Sequence, residues 1–394
     1  MFHSSRPAAL ALALILVACA GPASTIQPTP LGTIQVSPGS TPQPTLPPAQ
    51  SATPNSTPAT SDTPSQTATP GPPGTTPAAT ATPGLLGWVE RTDVATGPSA
   101  REDHTWTVNG EGTIAYLFGG RTADGASGEL WAFDLTTDSW SEVTQNIDQA
   151  IPPAPRFGHT ATWVPDVGLV VWSGQAGSTF FNDIWSWNPE AGTWLQLPSS
   201  GAVPAARYGS CASLGPDGEL WISHGFTDDS GRFSDTRSYD FATGTWTDRT
   251  PTDRVPVERC LHDCFWSAGG LLILYGGQTT GVAALGDAWA YDPVAGSWIR
   301  GPETTAPARQ LYSLSTLAGQ GLVFGGGSVD GGYLNDSWLL GPDLALVPFE
   351  TGSVLPPPRS GATLINDGER RHLLFGGRNV DGELADIWEL SPTN

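Results

Sequence analysis

The sequence predicts an all-β chain in which residues 85–394 form a six-bladed β-propeller of four-stranded antiparallel blades, closed by an N-terminal strand that completes the last blade. Three observations predict it. A unit of roughly fifty residues recurs six times; each copy carries a glycine pair or its remnant after an apolar run; and five of the six copies then place an acidic residue two before an aromatic. The composition agrees, since 48 Gly, 37 Pro and 16 Trp with only 14% charged residues describe short strands and turns rather than helices. All 17 basic residues are Arg, against 38 acidic ones, and a net charge of −21 repels phosphate backbones and excludes a nucleic-acid partner.

The chain divides into three zones. Residues 1–18 read as an export signal: Arg6 precedes an apolar run, 8–18, too short to span a bilayer and of the right length for a signal core. The segment Leu16-Val17-Ala18-Cys19 resembles the lipobox of bacterial lipoproteins. That resemblance implies cleavage before Cys19 and lipidation of its sulfur, so the mature protein is expected to be extracytoplasmic and lipid-anchored to the membrane, at the cell surface or in the periplasm. An ordinary signal peptide with a cysteine near its cut is the alternative. Ala20 follows, not Asp, so the motif carries no inner-membrane retention signal.

Residues 19–84 are expected to be a disordered Pro/Thr/Ser-rich linker. From 20 to 84 there is no aromatic residue and the only charge is Asp62, so the segment has too little apolar surface to offset the entropy of ordering. In polyproline II form, at about 3.1 Å per residue, such a length reaches at most roughly 200 Å. Thr-Pro pairs such as Thr53-Pro54 and Thr69-Pro70 are also those of O-glycosylated stalks.

In the third zone Arg101, Arg156, Arg207, Arg259, Arg309 and Arg359 recur at spacings of 55, 51, 52, 50 and 50. A short strand follows each, then a turn such as Asn109-Gly110, Asp217-Gly218 or Asp367-Gly368, suited to a two-residue hairpin. An apolar second strand ends in Gly119-Gly120, Ser173-Gly174, His224-Gly225, Gly276-Gly277, Gly325-Gly326 or Gly376-Gly377. The third strand opens with Glu129, Asp183, Asp235, Asp287, Asp336 or Asp386, two residues before Trp131, Trp185, Arg237, Trp289, Trp338 or Trp388. Trp140, Trp194, Trp246 and Trp298 mark the fourth strand, for which the fifth copy offers only Val347 or Phe349. The sixth copy ends before a fourth strand, and Gly87-Trp88-Val89-Glu90 reads as the missing one. Closing the ring removes exposed sheet edges.

These residues resemble the kelch family of β-propellers over about residues 85–394. The blade arginines and the third-strand acids match one to one, which predicts structural ion pairs within or between blades. His104, His159 and His262 follow their blade Arg by three residues and are expected to be structural rather than metal-binding, because Ser210, Tyr312 and Ala362 occupy the same slot elsewhere. No metal and no cofactor is expected. Export favours one disulfide among Cys211, Cys260 and Cys264, with Cys211 joined to either of the other two.

The resemblance implies that ligands dock on the face made by the second-to-third-strand loops, and these differ between blades. The candidate face comprises Arg121, Asp124, Gln175, Phe180, Phe181, Phe226, Arg232, Phe233, Gln278, Tyr333 and Arg378; Phe180 and Phe181, adjacent aromatics at a loop tip, require either a partner or an inward turn. No zinc-protease motif, nucleophile elbow, P-loop or dinucleotide fingerprint occurs, and no residues map onto the copper site of galactose oxidase relatives. The reading is therefore a monomeric, surface-anchored binding module for a glycan or protein of the cell envelope. The alternatives are a carbohydrate enzyme like the sialic-acid mutarotases of this fold and a structural component of an envelope complex.

Overall fold

The computed structural model describes residues 86–94, 97–143, 151–228, 231–281, 284–368 and 371–393. The expected signal, Cys19 and the linker lie outside them. The described residues form six four-stranded antiparallel blades, with no helix among them. Blade 1 runs Thr105–Val108, Ile114–Phe118, Leu130–Asp134 and Ser139–Glu142 from the axis outward, and blades 2 to 5 repeat that order. Blade 3 adds a short parallel strand, Ser200–Gly201, beside its outermost one. Second strands such as Gly168–Trp172 and Leu272–Tyr275 are buried at every position. Both of their faces pack against neighbouring blades, so they read as unbroken apolar runs rather than alternating ones.

Blade 6 is closed as expected. Leu86–Glu90 pairs antiparallel with Ile387–Pro392, which places Trp88 opposite Leu390. Trp88 is 3% exposed and meets Phe324 of blade 5 at 5.0 Å between ring centroids. The same slot holds Trp140 opposite Phe133, Trp194 opposite Trp187, Trp246 opposite Tyr239 and Trp298 opposite Tyr291. In blade 5 the slot is filled by Leu346, opposite Leu340, and not by Val347 or Phe349. Val347 faces outward because strand side chains alternate.

The first hairpins are longer than expected at Asn109, Asp217 and Asp367, where the strands pair only as far as Val108 with Ala115, Leu214 with Leu220 and Asn366 with His372. Side-chain oxygens fill these wider turns, as where Asn109 Oδ1 accepts from the amides of Thr113 and Ile114. The true two-residue hairpin is Ala318-Gly319, at φ 51° and 78°, in the left-handed conformation that such turns require.

The blades are sewn together near the axis. The amide of Gly158 donates to the carbonyl of Asp103, Gly209 to Gly158, Leu261 to Gly209, Leu311 to Leu261, Gly361 to Leu311 and Asp103 back to Gly361, at 2.8–2.9 Å. The histidines wedge between blades: His104 lies edge-on to Phe375, His159 to Phe118 and His262 to His224. Thr105 of blade 1 shares a 2.9 Å hydrogen bond with His159 Nε2. A disulfide joins Cys211 to Cys264 across a 5.6 Å Cα separation, linking the first strands of blades 3 and 4. Cys260 stays outside it, buried, with its sulfur 4.0 Å from Gln278 Oε1.

Replacing Trp88 with Ala removes a buried indole from the closing strand, and a loss of about 3–5 kcal/mol is expected. A chain beginning at Gly97 should melt lower still, and calorimetry showing an unchanged melting temperature for both would mean that the N-terminal strand does not close the ring.

Candidate functional site

The frame of the site is set by the six blade arginines, each at most 1% exposed. Arg156 shows the pattern. Its Nε donates to the carbonyl of Ala154 at 3.0 Å, Nη1 to that of Ser173 at 2.9 Å, and Nη1 and Nη2 fork onto Asp183 at 2.7 and 3.0 Å. Trp185 then donates to Asp183 Oδ2 at 2.7 Å. This explains the acid-x-Trp spacing: residues two apart in a strand share a face, so the indole N–H adds a second donor to the carboxylate oxygen that Nη2 already holds. Arg259 with Asp287, Arg309 with Asp336 and Arg359 with Asp386 repeat the fork, and Arg101 holds Glu129 through Nη2 at 2.5 Å. Every pair lies within a blade. In blade 3, where Arg237 replaces the Trp, its Nε donates to Asp235 at 3.1 Å, so the carboxylate bound by Arg207 keeps a second donor. The guanidinium, together with these hydrogen bonds, holds Asp183, Asp235, Asp287, Asp336 and Asp386 below the usual carboxylate range despite their burial.

The residue after each arginine bridges the residue after the glycine pair. Glu102 meets Arg121, Phe157 meets Gln175, Tyr208 meets Phe226, Cys260 meets Gln278 and Ser360 meets Arg378, while Gln310 pairs with Gly327. Two concentric rings of side chains result at one end of the channel. The inner ring escaped the sequence reading, although its signal was present: a fixed slot beside an invariant arginine holds six different residues, Glu102, Phe157, Tyr208, Cys260, Gln310 and Ser360.

The face has two sectors. In the charged one, Glu102 is 2% exposed and its Oε1 accepts from Arg121 Nε and Nη2 at 3.1 and 2.6 Å and from Arg378 Nη1 at 3.3 Å. Arg378 also holds Glu383 at 2.5 Å, with Tyr333 beside it. Burial and the neighbouring Asp103 raise Glu102 to about 7 against the pull of both arginines. In the apolar sector Phe157, Tyr208, Phe226, Cys260 and Leu261 pack together, with Phe180 against them. Tyr208 donates to Asp103 Oδ2 at 3.0 Å, joining blade 3 to blade 1 across the axis.

Of the two alternatives for the aromatic pair, the structure shows the inward turn. Phe181 covers the Arg156 guanidinium at 4.2 Å, and Phe180 turns edge-on to Phe226, which is itself buried. Phe233 likewise covers Arg207 at 3.9 Å. The cations they roof explain the inward turn, because a ring face over a desolvated guanidinium is favourable. Arg232 spans Gln278 and Thr280 at 3.0 Å each. Gln175 donates to the Gly177 carbonyl at 2.7 Å, and Asp124 sits exposed in a turn. Among the described residues no three His, Cys, Asp or Glu side chains gather to hold a metal.

Burial lowers the five described histidines, His104, His224 and His262 well below 6.5, His159 to about 3 and His372 to about 4. The unfolded chain therefore binds their protons first, and this part of the stability is lost as pH falls below 6.5. Glu102 and Asp263, raised to about 7, and Asp103, also raised, act in the opposite sense, because the folded state takes up their protons first. Five groups outweigh three, so stability should fall by roughly 1–3 kcal/mol per pH unit between 6.5 and 4.5. Denaturant unfolding at pH 7, 6 and 5 checks this, and a stability that stays flat or rises toward pH 5 would contradict it.

Comparison with known proteins agrees with this architecture. The model of the KLHDC2/KLHL20/DRC7 Kelch-repeats domain matches residues 86–270 and 246–394. The chain is 29% identical to Kelch domain-containing protein 3 of Bos taurus over 244 residues, which is 59% of this chain and 62% of that protein. It is 26% identical to Kelch domain-containing protein 2 of the same species over 245 residues, 54% and 58% of the two chains. Over 109 residues it is 35% identical to Tip elongation aberrant protein 1 of Schizosaccharomyces pombe, covering 27% of this chain and 9% of that one. The match thus spans about three-fifths of the length of the first two relatives. With six blades, the repeated arginine clamp and a family match along the whole propeller, the chain belongs to the kelch-repeat family.

Proposed function

We propose that this chain is an interaction module that docks a protein partner on the face carrying Arg121, Arg232, Tyr333, Gln278 and Arg378, and that Cys19 and the Pro/Thr/Ser-rich segment hold that face outside the cytoplasm on a lipid anchor. The observation that carries the reading is the inward turn of Phe180, Phe181, Phe226 and Phe233. A sugar-binding platform presents ring faces to the solvent, whereas these rings cover arginines or one another. What remains outward is a set of partly exposed guanidinium and amide groups on a molecule of net charge −21. Such groups suit the polar, Arg-containing surface of a protein interface. The kelch propeller, generally a protein-interaction module, favours the same reading. The anchoring rests on the Leu16-Val17-Ala18-Cys19 motif alone.

Cross-linking of the full chain in its native membrane tests both parts, with an Arg121→Ala/Arg232→Ala/Arg378→Ala variant and a Cys19→Ser variant beside it. A protein captured by the wild type should fall at least tenfold with the triple variant, and Cys19→Ser should leave the membrane fraction. Capture that survives the triple variant would remove this face, and binding of the purified chain to a glycan array that those arginines control would turn the reading to carbohydrate.

A further inference from the structure

The six first strands enclose a central cavity of about 490 Å³, within the range of small-ligand sites. At one end it is narrowed by the backbone ring of Asp103, Gly158, Gly209, Leu261, Leu311 and Gly361, with Tyr208 bonded across to Asp103. Among the described residues no arginine lines this cavity, although arginines pack throughout the rest of the fold, and the acids that line it are Asp103 and Asp263.

Neither carboxyl is forked by an arginine as the blade acids are: Asp103 has Tyr208 on Oδ2 and feels Arg121 and Arg378 from the outer face, and Asp263 has no guanidinium beside it among the described residues. Asp103 is 8% exposed and its Oδ1 has no hydrogen-bond partner, while its φ of 53° is the left-handed value shared by the other ring positions. Asp263 lies on the opposite blade, two residues beyond the ring at Leu261 and so about 7 Å along the strand. Its Oδ1 accepts from the Cys264 amide at 2.8 Å. Asp263 is partly exposed to the channel, no cation faces it among the described residues, and desolvation by the surrounding strands raises it to about 7. A carboxyl that lines a cavity without a guanidinium beside it can serve as the counter-charge of a bound cation. Metal ligation would need more donors, and among the described residues no three His, Cys, Asp or Glu side chains come together.

We propose that the channel binds a small organic ammonium, with Asp263 as its counter-charge and Asp103 Oδ1 as a second acceptor at the narrow end. The first strands form the inner edge of each blade, and the remaining N–H groups of the ammonium would go to acceptors along that edge. A site in the channel is independent of protein docking on the outer face.

Calorimetric titration of the full chain with putrescine at pH 8 tests this, with calcium chloride as a separate arm. One putrescine per chain is expected to bind, Asp263→Asn to weaken it at least tenfold, Glu190→Gln on the exposed rim to leave it unchanged, and calcium to give no heat. Carbon-13 titration of the Asp263 carboxyl in the wild type keeps the test open should the Asn variant fail to fold. Its midpoint should drop by at least one pH unit with saturating putrescine. Absence of putrescine binding, binding indifferent to Asp263, an unmoved carboxyl midpoint, or calcium binding through the same residue would each overturn the proposal.

Discussion

Everything in this propeller hangs on a buried guanidinium whose three nitrogens each find an acceptor. Each blade arginine reaches a carbonyl two residues behind it, a carbonyl in the glycine slot of its own second strand, and the acid that opens the third strand. Its own carbonyl accepts the amide of the second glycine of the preceding blade, as Arg156 accepts from Gly120 and Arg101 from Gly377, each at 2.9 Å. One residue type thus fixes the crossing of strands within a blade and the spacing between blades. Buried ion pairs of this kind add little net stability over an apolar packing, but breaking one strands a charge at a cost of about 3–5 kcal/mol. Their effect is to specify register, which six similar sheets around an axis need more than extra stability.

The consequence is a pair of closed hydrogen-bond circuits around the channel, one through the second glycine of each pair and one through the residue two beyond each arginine. Both demand left-handed backbone. A Cβ on Gly119 would lie 2.5 Å from the Arg156 carbonyl, which explains why that slot is usually glycine. Where the sequence departs, the backbone does not: Ser173 and His224 take φ 64° and 59° in the same slot. Because these circuits fix the frame, the side chains beside them are free to differ, and it is there that the charged sector around Glu102 and the apolar sector around Tyr208 arise.

The blade count, the closing strand and the arginine–acid pairing were legible because each is a repeated local signal. The slot of Leu346 was not, since a leucine there looks like its neighbours and only strand register distinguishes it from Val347 and Phe349. The disulfide partner of Cys211 depended on which of two cysteines four residues apart faces the adjacent blade, a matter of phase that only the packed strands decide. The face was legible as a set of loops but not as a surface. Whether Phe181 points to water or to Arg156 depends on the guanidinium beneath it, which lies 25 residues earlier in the chain. Glu102 and Asp103 stood next to Arg101 throughout, yet nothing local shows that two arginines and a tyrosine from other parts of the chain converge on them.

The central claim is that the arginine clamps make one cooperative frame out of six repeats. Native-state hydrogen exchange at the second-glycine amides, Gly120, Gly174, Gly225, Gly277, Gly326 and Gly377, tests it most directly. The account predicts that all six exchange only by global unfolding, with a common free energy that follows overall stability as denaturant is raised. Exchange of any one of these amides through a separate, lower-energy opening would show that its blade detaches on its own and that the clamps do not unite the ring.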